Sequence, residues 1–587
     1  IVRCFDFLNH VDNMRPFAEV VLNAPDRVFE PALSLTYASA FSIEHYLGVA
    51  HELLQMCAQL AGVSEEESSK IIILGLKDMA GMCPAFFMTD LISALRKKWP
   101  NLVLHYHRHF TDGHFIPSCA AAAKAGTHII DTSIAAATRW YGQGEVLSTA
   151  AYIEEIGLKT SLDKEMIRKC NFVLKQVIPY YDRYTTPYFQ GIDFDVRQHG
   201  MPGGATSSSQ EGALKQGYIK LLPYMLRFLA GTRKIIFYHD VTPGSQITWN
   251  TAFLGVTSAF KRGGEEAVQS LLEVLEAVAD KDETQLSDKL KQDRLGIYRD
   301  CNDAFRDLLL GKFGKLPLGF PPEWVYRSAF QNDWKNALAR RTDKSPLENL
   351  EDVDFASEHM NLKNLIHREP TDDEFLMYLN HPGDAVKTID FKQKFGDQNN
   401  LPLDVWFEGL EAGMEISFND SNGKPHNFHL LSIGRVDEQG VSVVRYVLDS
   451  EFMSYEVKVS QGSAAVASKL VMADPANPFH IASPSNGDLW VMYVKVGDIV
   501  KKGQELFNIS IMKQEKAVVA PKDAQVSRIL KTADYKTNKK MVPVREGELL
   551  VELSAVPVLC ANAECRKPLS SGDFSFCPFC GEKLEIR

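Results

Sequence analysis

The sequence predicts a multidomain α/β protein led by a (β/α)8 barrel. Three observations carry this. Over residues 1–255, short apolar runs alternate with longer amphipathic segments. The length of 587 residues asks for roughly three to five domains. From residue 401 onward the pattern changes to short strand-like runs punctuated by turns. Buried strands separated by helices mean a parallel sheet, and at this length a closed barrel is favoured over an open doubly wound sheet. No G-x-G-x-x-G follows a strand, which lowers the dinucleotide-binding alternative.

The elements follow in order. Ile1-Val-Arg-Cys-Phe5 is an apolar, strand-like opening without Met, so the N-terminal part of the barrel is expected to lie before it. Further strands are expected at Leu33–Tyr37, Ile71–Gly75, Leu102–Tyr106 and His128–Asp131. Between them, 42–60 and 85–98 have helical spacing. Residues 256–400 read as a helical post-barrel region, with Glu265–Asp280 its clearest helix. Residues 401–460 form a β-rich region with strands at 414–418, 427–433 and 441–448, split by turns. A small-residue linker spans 461–478. Residues 479–554 form a β unit with an internal two-fold: Gly487–Gly497 is echoed by Ala524–Gly547, which predicts a sandwich of four plus four strands. Residues 555–587 stand apart as a small module.

Composition excludes several classes. With 45% hydrophobic and 24% charged residues the chain is neither disordered nor collagen-like. A net charge of -11 argues against nucleic-acid binding. Apolar runs are too short for a membrane span, and no secretory signal opens the chain. Four of the ten cysteines fall in the last 28 residues, which reads as a metal site in a reducing compartment, cytoplasmic of bacterial type or another.

Three constellations carry chemistry. The first is Lys513, beside Met512 at the midpoint of the duplicated β unit, where a hairpin tip exposes it to a modifying enzyme. An unmodified surface lysine is the bland alternative, and the duplication outweighs it. The second is Lys77-Asp-Met-Ala-Gly81 at a strand end, with His105, His107 and His109 at alternating positions on the next strand. Alternation puts the imidazoles on one face, and their type suits a divalent transition metal. The third is Cys560-x4-Cys565-x11-Cys577-x2-Cys580, whose four thiolates in a short module read as a structural zinc ribbon. Cys4, Cys57, Cys83, Cys119, Cys170 and Cys301 lack ligand spacing and read as buried small residues.

Residues 479–554 resemble a biotinyl carrier domain, with Met512-Lys513 kept and Ile511 and Gln514 where the family has Ala and Met. Phe5-Asp-Phe-Leu-Asn9, Lys77–Gly81, Leu104–Gly113, Met201-Pro-Gly-Gly204 and Val241-Thr-Pro-Gly-Ser-Gln246 stand in the order of the carboxyltransferase motifs of the pyruvate carboxylase and oxaloacetate decarboxylase α subunit family. The resemblance implies biotin on Lys513, a carbamate on Lys77, and a divalent metal (Zn, Mn or Co) held by that carbamate, His107 and His109. It also implies catalytic parts for Lys77, Asp6 and Gln246. The metal aspartate and substrate arginine of the family would lie before Ile1. Phe110 stands where the family has Asp, Gly142-Gln-Gly144 replaces Ser-Gln-Pro, and no hydroxyl lies between Tyr188 and Thr206. Phe194 stands near the missing hydroxyl, with Thr185 or Thr186 as substitutes.

There is no ATP-binding region. The expected protein is therefore the carboxyltransferase and carrier subunit of a two-subunit, ATP-dependent 2-oxo acid carboxylase, turning pyruvate into oxaloacetate or acting on a related acid. Its partners would be a separate ATP-grasp biotin carboxylase, a biotin ligase and further copies of itself. An oxaloacetate decarboxylase α subunit with a membrane partner is the second reading, favoured by Gln246. A non-catalytic biotin carrier or scaffold is the third.

Overall fold

The computed structural model describes the chain except for residues 183, 185–190, 237–240, 242–243, 350–351, 397–400, 421, 438–439, 459–470, 512–513, 536–540, 556–557, 560–567 and 570–587. It divides into two compact units, residues 1–351 and 352–587.

The first unit opens with a five-stranded parallel sheet: β1 (Val2–Phe5), β2 (Phe29–Ser34), β3 (Ile73–Asp78), β4 (Val103–Arg108) and β5 (Ile129–Ile130). The strands lie side by side in chain order. The helices α1 (Val11–Asn23), α2 (Ile43–Ala61), α3 (Glu65–Ile71), α4 (Ala85–Lys98) and α5 (Phe115–Ala125) make the connections. Every residue of β2 and β3 is buried, as expected for a parallel sheet covered on both faces. Ser42 caps α2 through the His45 amide, and Gly62 ends it in the left-handed region. The apolar run at Ile71 straddles two elements, because the end of α3 and the start of β3 are both apolar.

The sheet is strongly curled. In a flat sheet, four spacings of about 4.8 Å would put β1 and β5 roughly 19 Å apart. Yet Arg3 on β1 reaches Asp131, the residue after β5, with an Nη1–Oδ2 distance of 3.0 Å. Side chains from the two edge strands thus meet across the concave face. The described residues supply five strands, where a closed barrel of this type has eight.

The helices α6 (Val146–Glu155), α7 (Lys164–Asp182), α8 (Val196–His199), α9 (Gly203–Lys215), α10 (Leu222–Ile236) and α11 (Gly244–Asp280) follow. The boundary expected after residue 255 falls inside α11, whose backbone breaks at Gly263 and Gly264. Helix α7 buries none of its residues, so Cys170 is exposed rather than buried, a correction to the sequence reading. Cys57, Cys83, Cys119 and Cys301 are buried as expected. The unit ends with α12 (Asp288–Asp293), α13 (Asp303–Leu310), α14 (Glu323–Phe330) and α15 (Trp334–Ala339).

The second unit begins with α16 (Phe355–Ile366), α17 (Asp372–Asn380) and α18 (Pro382–Phe395), packed around Leu362, Ile366, Tyr378 and Ile389. After α19 (Leu403–Glu408), an antiparallel meander follows: β6 (Glu415–Asn419), β7 (Pro425–Ile433), β8 (Val441–Leu448) and β9 (Glu451–Lys458). Eight strands then build a sandwich: β10 (His480–Ala482), β11 (Gly487–Met492), β12 (Ile499–Val500), β13 (Glu505–Ile511), β14 (Gln514–Val519), β15 (Ala524–Ile529), β16 (Val542–Val544) and β17 (Leu549–Ser554). One sheet runs β10-β17-β15-β12 and the other β14-β13-β11-β16. Moving four strands along the chain converts the first order into the second, so the sequence two-fold is a structural one. Phe507, Ile509, Leu550 and Val551 fill the space between the sheets. No described helix is long and apolar enough to cross a membrane.

Candidate active site

The concave face of the sheet gathers charge that an apolar barrel interior would exclude. Strand alternation and register decide which residues meet. Arg3 pairs in register with Glu30, Gly75 with His105, and Lys77 with His107. Arg3 donates from Nε to Glu30 and from Nη1 to Asp131. His105 lies between two carboxylates, with Nδ1 3.0 Å from Glu30 and Nε2 2.7 Å from Asp131. These carboxylates hold its pKa above the ordinary value against the cost of burial. Gly75 makes the room. A Cβ there would stand 2.7 Å from the Ala32 Cβ and 3.0 Å from the Glu30 carboxylate.

His107 and His109 lie with ring centroids 5.2 Å apart. His107 Nδ1 is 2.8 Å from Asp131, and His109 Nδ1 is 2.6 Å from the Tyr141 carbonyl. A carbonyl only accepts, so Nδ1 of His109 carries the hydrogen. Burial, followed by the neighbouring His107, lowers the His109 pKa to about 3, and the ring is neutral. Burial likewise lowers the His107 pKa, and its carboxylate partner accepts from Nδ1. Each ring therefore keeps its lone pair on Nε2. The Gln143 amide nitrogen approaches that of His107 at 3.4 Å.

Lys77 is buried beside them, with Nζ 4.7 Å from the centre of the Phe5 ring. Desolvation first, and the Arg3 charge second, lower its pKa to about 8. About a quarter of such an amine is neutral at pH 7.5, against about one in a thousand for an ordinary lysine. Among the described residues, no three His, Cys, Asp or Glu side chains form a metal-binding group.

The sequence motifs converge here through glycine. Gly81 lies so close to the His109 backbone that a Cβ would stand 2.4 Å from the His109 carbonyl oxygen. Gly203 starts α9 against His109 and Tyr141, with a Cβ position 2.2 Å from the Tyr141 oxygen and 2.7 Å from His109 Nδ1. Gly244 presses on the ring of Phe7, where a Cβ would lie 2.3 Å from a ring carbon. Below the histidines, Arg108 is fully buried. It donates to Asp78, Asp112 and the carbonyls of Gly81 and Cys83. Asp78 also accepts from the Met82 and Cys83 amides, both at 3.0 Å, and so shapes the loop after Lys77.

Asp6 bonds to its own loop: it accepts from the amides of Leu8 and His10 and from Asn13, while burial raises its pKa. Gln246 lies in the first turn of α11, with Nε2 3.3 Å from the Asn250 side chain. Phe110 packs on Trp140 with centroids 5.0 Å apart. Phe194 is exposed and lies 4.9 Å from the Arg197 guanidinium. Thr185, Thr186, Met512, Lys513, Cys560, Cys565, Cys577 and Cys580 lie outside the described residues. Sequence reasoning missed Arg3, Glu30, Asp131 and Tyr141 as members of this cluster. Glu30 carried a readable signal, a carboxylate inside a strand that is otherwise uncharged. Tyr141 carried none, because it contributes a backbone oxygen.

Residues 196–429 match a conserved carboxylase domain, and residues 480–554 match the domain of biotin-requiring enzymes. Pyruvate carboxylase 1 of Caenorhabditis elegans is 25% identical over 89% of this chain and 41% of its own length. Pyruvate carboxylase of Staphylococcus aureus is 24% identical over 94% of this chain and 44% of its own length. The chain thus spans less than half of these relatives. The crystal structure of a complete multifunctional pyruvate carboxylase from Rhizobium etli superimposes with a TM-score of 0.62 at 23% identity, covering 94% of this chain and 46% of that one. The carboxyl transferase domain of the same enzyme with pyruvate and biocytin gives 0.62 at 23% identity, over 78% of this chain and 69% of that one. The chain is homologous to the pyruvate carboxylases, joining a carboxyltransferase-type domain to a biotin-requiring domain.

Proposed function

We propose that this pyruvate carboxylase homologue is the carboxyltransferase and biotin-carrier component of a 2-oxo acid carboxylase. Pyruvate, giving oxaloacetate, is its first candidate substrate. A separate ATP-dependent chain would carboxylate the biotin, and a biotin ligase would attach it to Lys513. The curled sheet is read as the greater part of a (β/α)8 barrel, and Cys560, Cys565, Cys577 and Cys580 as the ligands of a structural zinc.

The observation that carries the reading is a lysine with a pKa of about 8 beside two neutral imidazoles. The neutral Lys77 amine attacks CO2, forms an N–C bond and releases a proton, leaving an anionic carbamate. Its oxygen and the Nε2 lone pairs of His107 and His109 are a donor set that suits a divalent transition metal. Asp131 and the Tyr141 carbonyl hold the Nδ1–H of each ring, and such partners orient metal-binding histidines. When bound, the metal would polarise the carbonyl of the oxo acid and favour its enolate, and biotin would supply the carboxyl group. Arg3 and His105 balance Glu30 and Asp131, so the face keeps fixed charges in a desolvated setting.

The test is His107→Ala in the full chain. Exchange of the pyruvate methyl protons with deuterated water should be lost, and barrel metal with it, while avidin still captures the protein. Unchanged proton exchange would refute the assignment. The chains co-purifying on avidin separate the two directions of reaction. A soluble ATP-dependent carboxylase supports the proposal, and a polytopic membrane partner supports the decarboxylase.

A further inference from the structure

The second half of the biotin-type sandwich is longer than the first. Gly487 stands 16 positions before Gly503, whereas their two-fold counterparts Ala524 and Gly547 stand 23 positions apart. The extra residues fall between β15 and β16, and the two-fold has no use for them. Lys531 anchors their start, with Nζ 2.8 Å from the Pro543 carbonyl and 2.6 Å from Glu548. The insertion then lies along β11: the Met492 amide donates to the Ala533 carbonyl at 2.8 Å, and Val491 bridges to Asp534.

Tyr535 comes next and leaves the sandwich. Its ring packs on Trp490, with centroids 3.9 Å apart. Its hydroxyl oxygen accepts from the Gly383 amide at 3.1 Å. Gly383 follows Pro382 in the first turn of α18, where backbone amides have no partner within the helix. The approach requires glycine for space, because a Cβ at 383 would stand 2.7 Å from the Tyr535 oxygen and 3.1 Å from the ring. Trp490 lies at the bulge where β11 passes between Ile509 and Asn508 of β13, the strand that pairs with β14. The contact therefore holds the middle of the sheet β14-β13-β11-β16.

We propose that Tyr535 is a latch that parks the carrier domain on the N-terminus of α18. This rests on the carrier reading of residues 480–554. The inserted loop supplies the tyrosine, Trp490 fixes its ring, and Gly383 supplies both the donor and the space. A parked carrier withholds its lysine from transfer, so opening the latch is a step between two visits.

Hydrogen exchange on the full biotinylated chain tests the latch. In Tyr535→Phe, the peptide containing Gly383 should exchange at least tenfold faster, with the rest of α18 unchanged. Gly383→Ala keeps the helix but blocks the ring, and it should speed carboxyl transfer severalfold. Equal exchange of wild type and Tyr535→Phe overturns the proposal. So does faster exchange accompanied by unchanged or slower transfer in Gly383→Ala, since the contact would then be a structural prop. Streptavidin gel shift reads the carrier assignment separately: an unlabelled wild-type chain would sink that reading without touching the exchange result.

Discussion

Gly203 and Gly204 form a matched pair that isolates one contact of the site. Both lie in the first turn of α9. A Cβ at 204 meets nothing within 4 Å, whereas a Cβ at 203 would stand 2.2 Å from the Tyr141 carbonyl oxygen and 2.7 Å from His109 Nδ1. A carbon rests about 3.3–3.6 Å from such an oxygen, so Gly203→Ala must push the two groups apart by about 1 Å. Those two groups are the partners of the 2.6 Å hydrogen bond that sets the His109 tautomer. Overpacking costs about 1–3 kcal/mol and the lost bond about 0.5–1.5 kcal/mol, together about 1.5–4.5 kcal/mol. Alanine also gains up to about 1 kcal/mol of helix propensity over glycine, equally in both variants. Urea unfolding should thus rank Gly203→Ala below Gly204→Ala by that margin. The imidazole 15N spectrum should show a single Nδ1–H tautomer for His109 in Gly204→Ala and a mixture in Gly203→Ala. Where metal binds, loss of such an orienting partner weakens it about 10–100-fold. Equal stability to within about 0.5 kcal/mol, with one tautomer in both, would refute the reasoning.

Two further outcomes follow from burial. Carbamate forms only from neutral amine, and Lys77 is neutral above a pKa of about 8 and protonated below it. At fixed dissolved CO2, the 13C carbamate signal of Lys77 should rise as pH increases through about 8; a midpoint near the ordinary lysine value would discard the desolvation argument. Arg108→Leu strips the fully buried Asp78 carboxylate of its ion pair, while Asp112 keeps Arg197, and should cost about 3–5 kcal/mol in chemical unfolding. A loss below about 1 kcal/mol would mean that the network is not sealed from water.

Legibility differed between the parts of the molecule for physical reasons. Helices α2 and α4 were readable almost to the residue, because apolar spacing and the Ser42 cap are local signals. The sandwich was readable because its duplication is written twice in the chain, and β10-β17-β15-β12 repeats as β14-β13-β11-β16. Lys77, His107 and His109 stood out as polar residues at the ends of buried strands. The sequence could not say that Cys170 lies on a helix with no buried residue, because burial depends on what the rest of the chain covers.

What the sequence determined by itself is the inventory: a parallel sheet, a duplicated sandwich, a lysine at its midpoint and two histidines one pleat apart. Local periodicity and motif spacing suffice for that. Only the tertiary structure decided how these groups are tuned. The curl of the sheet brings Arg3 and Asp131 from opposite edges to 3.0 Å, although 128 positions separate them in the chain. Burial first, and the charge of Arg3 second, move Lys77 to a pKa of about 8. The tautomer of His109 depends on a backbone oxygen of Tyr141, and the space beside it depends on Gly203. Carbonyl positions and missing methyl groups leave no chemical signature in a sequence. They acquire meaning when distant segments are packed within contact distance, and that packing is a property of the whole fold.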